Sequence, residues 1–166
     1  MEAAFSPPDK LGGAPDGKRS LRVWLRLLTC ASMVERRVAA RFRDEFDTTL
    51  PRFDFLSALD RAGPEGLPLG EVSRMLLVTN GAVTGLATGL KADGLIETLE
   101  TADRRVRRVR LTALGRARFA AMARAHEGWI EALFADLAEG EAEQLMTLLD
   151  RTKRSLQRTT PEELAG

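Results

Sequence analysis

Apolar residues recur three and four apart along most of this chain, and that rhythm gives way to a different one only between Leu95 and Leu111. Spacings of three and four line one side of a helix, whereas a spacing of two belongs to a strand. The chain is therefore expected to be a set of helices with one small β-element let into it. "LIETLE" and "RRVRRVRL" are short and rich in β-branched residues and arginine, and "TADR" between them supplies turn chemistry. The interruption reads as a two-stranded hairpin.

Four helices are expected before the hairpin and two after it. From Leu21 to Phe46, Trp24, Leu27, Leu28, Ala31, Val34, Val38, Phe42 and Phe46 mark one long amphipathic helix that ends before Pro51. Phe53 to Ala62 forms a second, broken by "AGPEG". "LPLGEVSRMLLV" supplies a short third with Leu69, Val72, Leu76 and Leu77 inward. A fourth follows "TN", with Thr79 as its N-cap and Gly94 suited to a left-handed C-terminal cap. After Thr112, the positions Leu114, Phe119, Met122, His126, Trp129, Ile130, Leu133, Phe134 and Leu137 mark a fifth, interrupted by Gly140 before "EAEQLMTLLDRTKRSLQ" forms a sixth. Residues 1–18 are rich in Pro, Gly, Ala and Asp without periodicity, which reads as a disordered arm. The fold class is mainly α with a small β-hairpin wing.

Composition narrows the function. With 166 residues and 44% hydrophobic content the chain suits one domain, or one domain extended by a dimerisation element. One cysteine, Cys30, and one histidine, His126, leave no intrachain disulfide and no metal set. A buried, inert thiol is the expectation for Cys30. No apolar run reaches membrane-spanning length and "MEAAFSPPDKLGGAPDGK" lacks the plan of a secretory signal, so a cytoplasmic protein away from membranes is expected. "GLATGLK" is no phosphate-binding loop, and no nucleophile–base set stands out, so neither an enzyme nor a cofactor is expected.

Within the fourth helix, "VTNGAVTGLATGLKADG" places Gly81, Gly85 and Gly89 four apart, although each interior glycine costs a helix about 1 kcal/mol relative to alanine. On a helical wheel Val83, Leu86, Ala87 and Leu90 form a core face, and Gly81, Thr84, Gly85, Thr88, Lys91 and Ala92 gather opposite. That bare side suits either close packing on another helix or entry into a DNA groove. A short helix, a tight connection, a second helix and then a basic hairpin is the order of a winged helix-turn-helix. Thr84 and Thr88 are then candidate base readers, Asn80 can pair with adenine, and the helix N-terminus offers amides to phosphate. From Arg104 to Arg110 five of seven residues are arginine. Such a ladder repels itself unless an anion relieves it, and a wing-tip arginine suits a narrow minor groove. A solvated, aggregation-resistant edge strand is the plainer reading.

"DRRVRRVRLT", Asp103 to Thr112, resembles the D-x-R-x5-L-T wing signature of the MarR family of bacterial transcription regulators, with Asp103, Arg105, Leu111 and Thr112 in place. "LPLGEVSRMLLVTNGAVTGLATGLKADGLIE" is similar to the family's helix-turn-helix at nearly every apolar position, and the likeness runs from about residue 21 to 158. The resemblance implies a homodimer on double-stranded DNA at a pseudo-palindromic operator, a repressor by expectation. Residues 19–48 and 112–160 would then form the helical dimerisation region and residues 49–111 the DNA-binding lobe. It implies DNA contacts from Ser73 and Arg74 to phosphate, from Thr79, Asn80, Gly81, Thr84, Gly85, Thr88 and Lys91 on the recognition helix, and from Arg104, Arg105 and Arg107 on the wing, with Asp103 orienting an arginine. Members commonly carry an Asp-Arg pair where this chain has Thr88 and Gly89, and a base where it has Thr98. Weaker nonspecific binding with a shallower salt dependence is therefore expected, unless Arg107, Arg108 and Arg110 compensate.

Family members are often released from DNA by a small aromatic acid, phenol or acyl-CoA. "RFDFLSAL" and "TNGAVTGL" resemble the subset responding to aromatic acids or their CoA thioesters. A pocket would be lined by Trp24, Phe53, His126 and Trp129, with Arg36 available for a carboxylate or phosphate. The plainer reading of His126 is an ordinary helix histidine. The competing function is a helical dimer that binds a ligand or protein partner and has lost DNA recognition, as its neutral recognition helix would allow.

Overall fold

The structure, a computed structural model, describes residues 18–99 and 108–160. Its elements in order are α1 (Arg19–Phe46), α2 (Leu50–Ala62), a 3-10 turn (Gly63–Glu65), β1 (Leu67–Pro68), α3 (Leu69–Leu76), α4 (Asn80–Ala92), β2 (Ile96–Leu99), β3 (Arg108–Leu111), α5 (Ala113–Leu133) and α6 (Glu139–Arg158). The chain is mainly helical with one small antiparallel sheet, as the periodicity implies. It divides into two compact units, one up to Ala123 and one from Arg124 onward. Among the described residues no helix is long and apolar enough to cross a membrane. The expected arm lies almost wholly outside the described residues.

The hairpin is part of a three-stranded sheet, ordered β1-β3-β2. Leu67 and Pro68, expected to open the third helix, instead pair with Val109 and Arg108. Pro68 cannot donate to a ladder, which confines it to an edge, and β1 is an edge strand. Its extended backbone then serves as the N-cap of α3.

Within the first unit, Phe42, Phe55, Leu56, Leu59, Val72, Val83, Leu90 and Met122 are wholly buried. Each such side chain contributes about 1.5–3 kcal/mol by leaving water. Phe53 is also buried, its ring 4.6 Å from Phe42 and 5.5 Å from Phe119. Helix α1 buries only Val38 and Phe42, in its second half. Trp24 and Leu28 on the same apolar stripe are exposed. Cys30 is exposed too, which corrects the expectation of a buried thiol.

Termini and turns fix how the lobe elements meet. Helix α3 ends at Leu77, which takes the left-handed conformation (φ 54) that usually belongs to glycine. That geometry turns its side chain out, and Leu77 is 92% exposed rather than inward. At the other end of the lobe, the Thr112 hydroxyl donates to the Gly94 carbonyl at 2.6 Å and accepts the Gly115 amide at 3.0 Å, capping α5. Gly115 lies so close to the Leu95 carbonyl that a Cβ would come within 1.9 Å of its oxygen. Leu111, beside Thr112, is buried.

In the second unit, α5 ends at Leu133 and α6 begins at Glu139, so Gly140 sits inside a first turn rather than between helices. The Glu141 carboxylate accepts the Ala138 amide at 2.9 Å and thereby starts the helix there. None of the residues of α6, all of them described, is buried. Leu145, Met146, Leu148, Leu149 and Leu156 face outward.

Candidate nucleic-acid interface

Helix α4 is held by its core face and leaves its other side bare. Val83, Ala87 and Leu90 are buried, and Leu86 is half-buried beside them. The Thr79 hydroxyl accepts the Ala82 amide at 3.2 Å, giving α4 its N-cap. At the far end Gly94 adopts φ 69, and the Gly94 and Leu95 amides close onto the Lys91 and Leu90 carbonyls.

The glycine stripe divides in two. At Gly85 an added Cβ would meet nothing within 4 Å, and at Gly81 only the Thr79 hydroxyl at 4.0 Å. Both face open space. Gly89 is a packing glycine: a Cβ there would lie 3.1 Å from Nη1 of Arg52. The two explanations raised by the sequence therefore apply to different members of one stripe.

Asn80, Thr84, Thr88 and Lys91 are exposed beside Gly81 and Gly85. The Thr84 hydroxyl donates to the Asn80 carbonyl and that of Thr88 to the Thr84 carbonyl, each at 2.9 Å. Their donors engage the helix itself, so what the two threonines offer outward is oxygen lone pairs and methyl groups. Nζ of Lys91 donates to Thr98 Oγ1 at 3.0 Å, tying α4 to β2. Thr98, read in the sequence as the loss of a cation, thus steers one from α4.

On α3, Arg74 is exposed, but Ser73 is not available to a phosphate. Ser73 is 8% exposed and its hydroxyl donates to the Val78 carbonyl at 2.7 Å, bracing the turn between α3 and α4. Leu77 and Val78 close that turn without glycine, and the internal serine bond helps hold it.

The arginine ladder is relieved from within at its inner end. Arg108 donates to the Glu65 and Gly66 carbonyls at 3.0 and 2.8 Å. Arg110 pairs with Glu97 at 2.7 Å across β2 and β3. Both side chains brace the sheet, Arg110 against an opposite charge and Arg108 against carbonyl dipoles. Asp103, Arg104, Arg105 and Arg107 lie outside the described residues.

Sequence reasoning missed Arg52. It sits in the first turn of α2, over Gly89, and pairs with Asp93 at the end of α4. Residues so far apart in sequence give no periodic signal; the glycine that admits the guanidinium was the available clue.

The expected effector residues fall in both units. Trp24 and Arg36 on α1 are exposed, while Phe53 belongs to the aromatic stack of the first unit, with Phe42 and Phe119. His126 and Trp129 meet edge to face, with ring centroids 6.4 Å apart. A cleft of about 300 Å³ in the first unit is lined by Leu59, Asp60, Gly63, Pro64, Leu111 and Arg116, and includes none of the five.

Comparison with known proteins agrees with this architecture. The sequence pattern described as MarR family matches residues 46–108. The transcriptional activatory protein BadR of Rhodopseudomonas palustris is 32% identical over 107 residues, 62% of this chain. That match spans 61% of the length of BadR. The crystal structure of a MarR family transcriptional regulator from Silicibacter pomeroyi superposes with a TM-score of 0.73 at 26% identity, over 87% of this chain and 99% of that one. FabT of Streptococcus pneumoniae, solved in complex with DNA, shares the fold with a TM-score of 0.69 at 23% identity, over 83% of this chain and 97% of its own. Sequence across the winged lobe and architecture across most of the chain point the same way, to the MarR family whose pattern residues 46–108 match.

Proposed function

We propose that this chain is a sequence-specific DNA-binding transcription regulator that works as a homodimer on a pseudo-palindromic operator. The observation that carries the reading is the outward face of α4, where open space lies beyond Gly81 and Gly85 and only polar or small side chains stand beside them. Such a face admits the edges of base pairs to the helix backbone. Thr84, Thr88 and Asn80 read bases, Arg74 and Lys91 hold phosphates, and the wing arginines Arg104, Arg105 and Arg107 enter the neighbouring minor groove.

The dimer is supported by apolar surface that one subunit leaves uncovered. Trp24 and Leu28 on α1, and Leu145, Met146, Leu148 and Leu149 on α6, are exposed. Exposed apolar side chains grouped on a helix in this way mark an interaction face, and a second copy is the simplest cover for each. Repression relieved by an aromatic acid or acyl-CoA-type ligand is the regulatory form that the sequence resemblance favours. The relative named an activatory protein favours activation as a second reading.

Selecting duplexes from a random-sequence pool with the purified protein tests the function. A two-fold symmetric motif is expected. Gly85→Glu puts bulk and negative charge where nothing stands within 4 Å. The variant should fold with a melting temperature equal to or above that of the wild type, since glycine costs a helix about 1 kcal/mol, and it should lose the selected duplex. Undiminished binding by this variant refutes the groove assignment, and failure to select any duplex favours the protein- or ligand-binding alternative. With DNA binding in hand, an aromatic acid or its CoA thioester that binds the folded state should raise its melting temperature.

A further inference from the structure

Two cations flank the bare face of α4, and each is held by a different neighbour. At 3.6 residues per turn, Gly89 lies about 80° round the helix from Gly81 on one side and Lys91 about 80° on the other. Over Gly89 stands Arg52 of α2, with its guanidinium Nη1 3.1 Å from the point a Cβ would occupy. Nη2 of the same group engages Asp93. Opposite, Nζ of Lys91 rests on Thr98 of β2 at 3.0 Å. A helix lying in a major groove has one phosphate strand along each flank, and these are the two flanks where the cations stand.

We infer that Arg52 is a phosphate-contacting residue, the counterpart of Lys91 on the opposite flank of the recognition helix. The inference rests on the DNA-binding reading above. Arg52 carries five N–H donors in a rigid fork, and the contact with Asp93 uses part of that fork. Its side chain retains 23% of its exposure and Asp93 retains 55%, so the pair lies at the surface rather than inside the lobe. Asp93 orients the fork, and Gly89 provides the space that lets an arginine from another helix lie against α4. The recognition helix thus has a cation on its bare flank although its own sequence supplies none there. The internally braced Arg108 and Arg110 do not fill this place.

A phosphate contact and a purely structural pin differ in salt dependence. Binding would be measured across salt concentrations, with both a duplex selected from the random pool and a mixed-sequence duplex, for wild type, Arg52→Gln and Arg52→Lys. Each phosphate neutralised adds about 0.9 to the slope of log affinity against log salt. Arg52→Gln should reduce the slope by about 0.9 per protomer and weaken both duplexes by the same factor. Arg52→Lys, which keeps the charge, should retain most of the slope. If Arg52→Gln weakens the selected duplex with the slope unchanged, Arg52 only positions α4 and the inference fails while the DNA-binding reading stands. If the wild-type protein selects no duplex, that reading fails first.

Discussion

Helices α2 and α6 both carry several large apolar side chains, yet they end in opposite conditions. Of the thirteen residues of α2, five are buried, among them Phe55, Leu56 and Leu59. Of the twenty residues of α6, none is, although it carries Leu145, Met146, Leu148, Leu149 and Leu156. Helix α2 finds its cover within its own unit, against α3, α4 and β3. The apolar side chains of α6 have no such cover in one subunit. The difference separates helices that cover their apolar side chains within one unit from a helix that leaves them open, the surface on which the proposed homodimer rests.

Matched truncations at the two helices give the widest separation. Leu59 is 1% exposed, and Leu59→Ala removes buried methyl groups from the lobe and leaves a cavity. It should cost about 3 kcal/mol, at every protein concentration, read by urea denaturation. Leu148 is 58% exposed in the subunit. Leu148→Ala should cost about 1 kcal/mol, a smaller figure because α6 can relax around the gap. Its effect should grow on dilution, since association stabilises by mass action. Sedimentation should show a weaker dimer with an intact lobe. Equal, concentration-independent losses from the two substitutions would erase the contrast and remove the support for a homodimer.

What the sequence disclosed follows the reach of each interaction. The wheel placed Val83, Ala87 and Leu90 on the core face of α4 because burial and helical spacing are both local, and the structure buries all three. The caps at Thr79 and Gly94 are equally local and stand where the sequence put them. Strand β1 was illegible because two residues cannot display a period of two. Ser73 was assigned to phosphate by the family resemblance, but the Val78 carbonyl lies within reach and takes its hydroxyl. Leu77 was placed inward by its hydrophobicity, whereas the left-handed backbone at the end of α3 turns it out. The pairing of Arg52 with Asp93 across Gly89 depends on the packing of α2 on α4, of which the one local trace is the glycine itself.

The smallest expected effect concerns whether α6 has order of its own. Its start holds half of a capping box: the Glu141 carboxylate accepts the Ala138 amide, but the alanine methyl cannot accept an amide in return. Ala138→Ser supplies the missing oxygen and should stabilise the helix by about 0.5 kcal/mol. Because α6 buries no side chain in its own subunit, this gain should appear as slower amide hydrogen exchange in the first turns of α6. The exchange of α2 should stay as it was. If α2 slows by the same factor, lobe and α6 unfold as one cooperative body, and the separation drawn between a self-covering lobe and an association helix does not describe how this protein is held together.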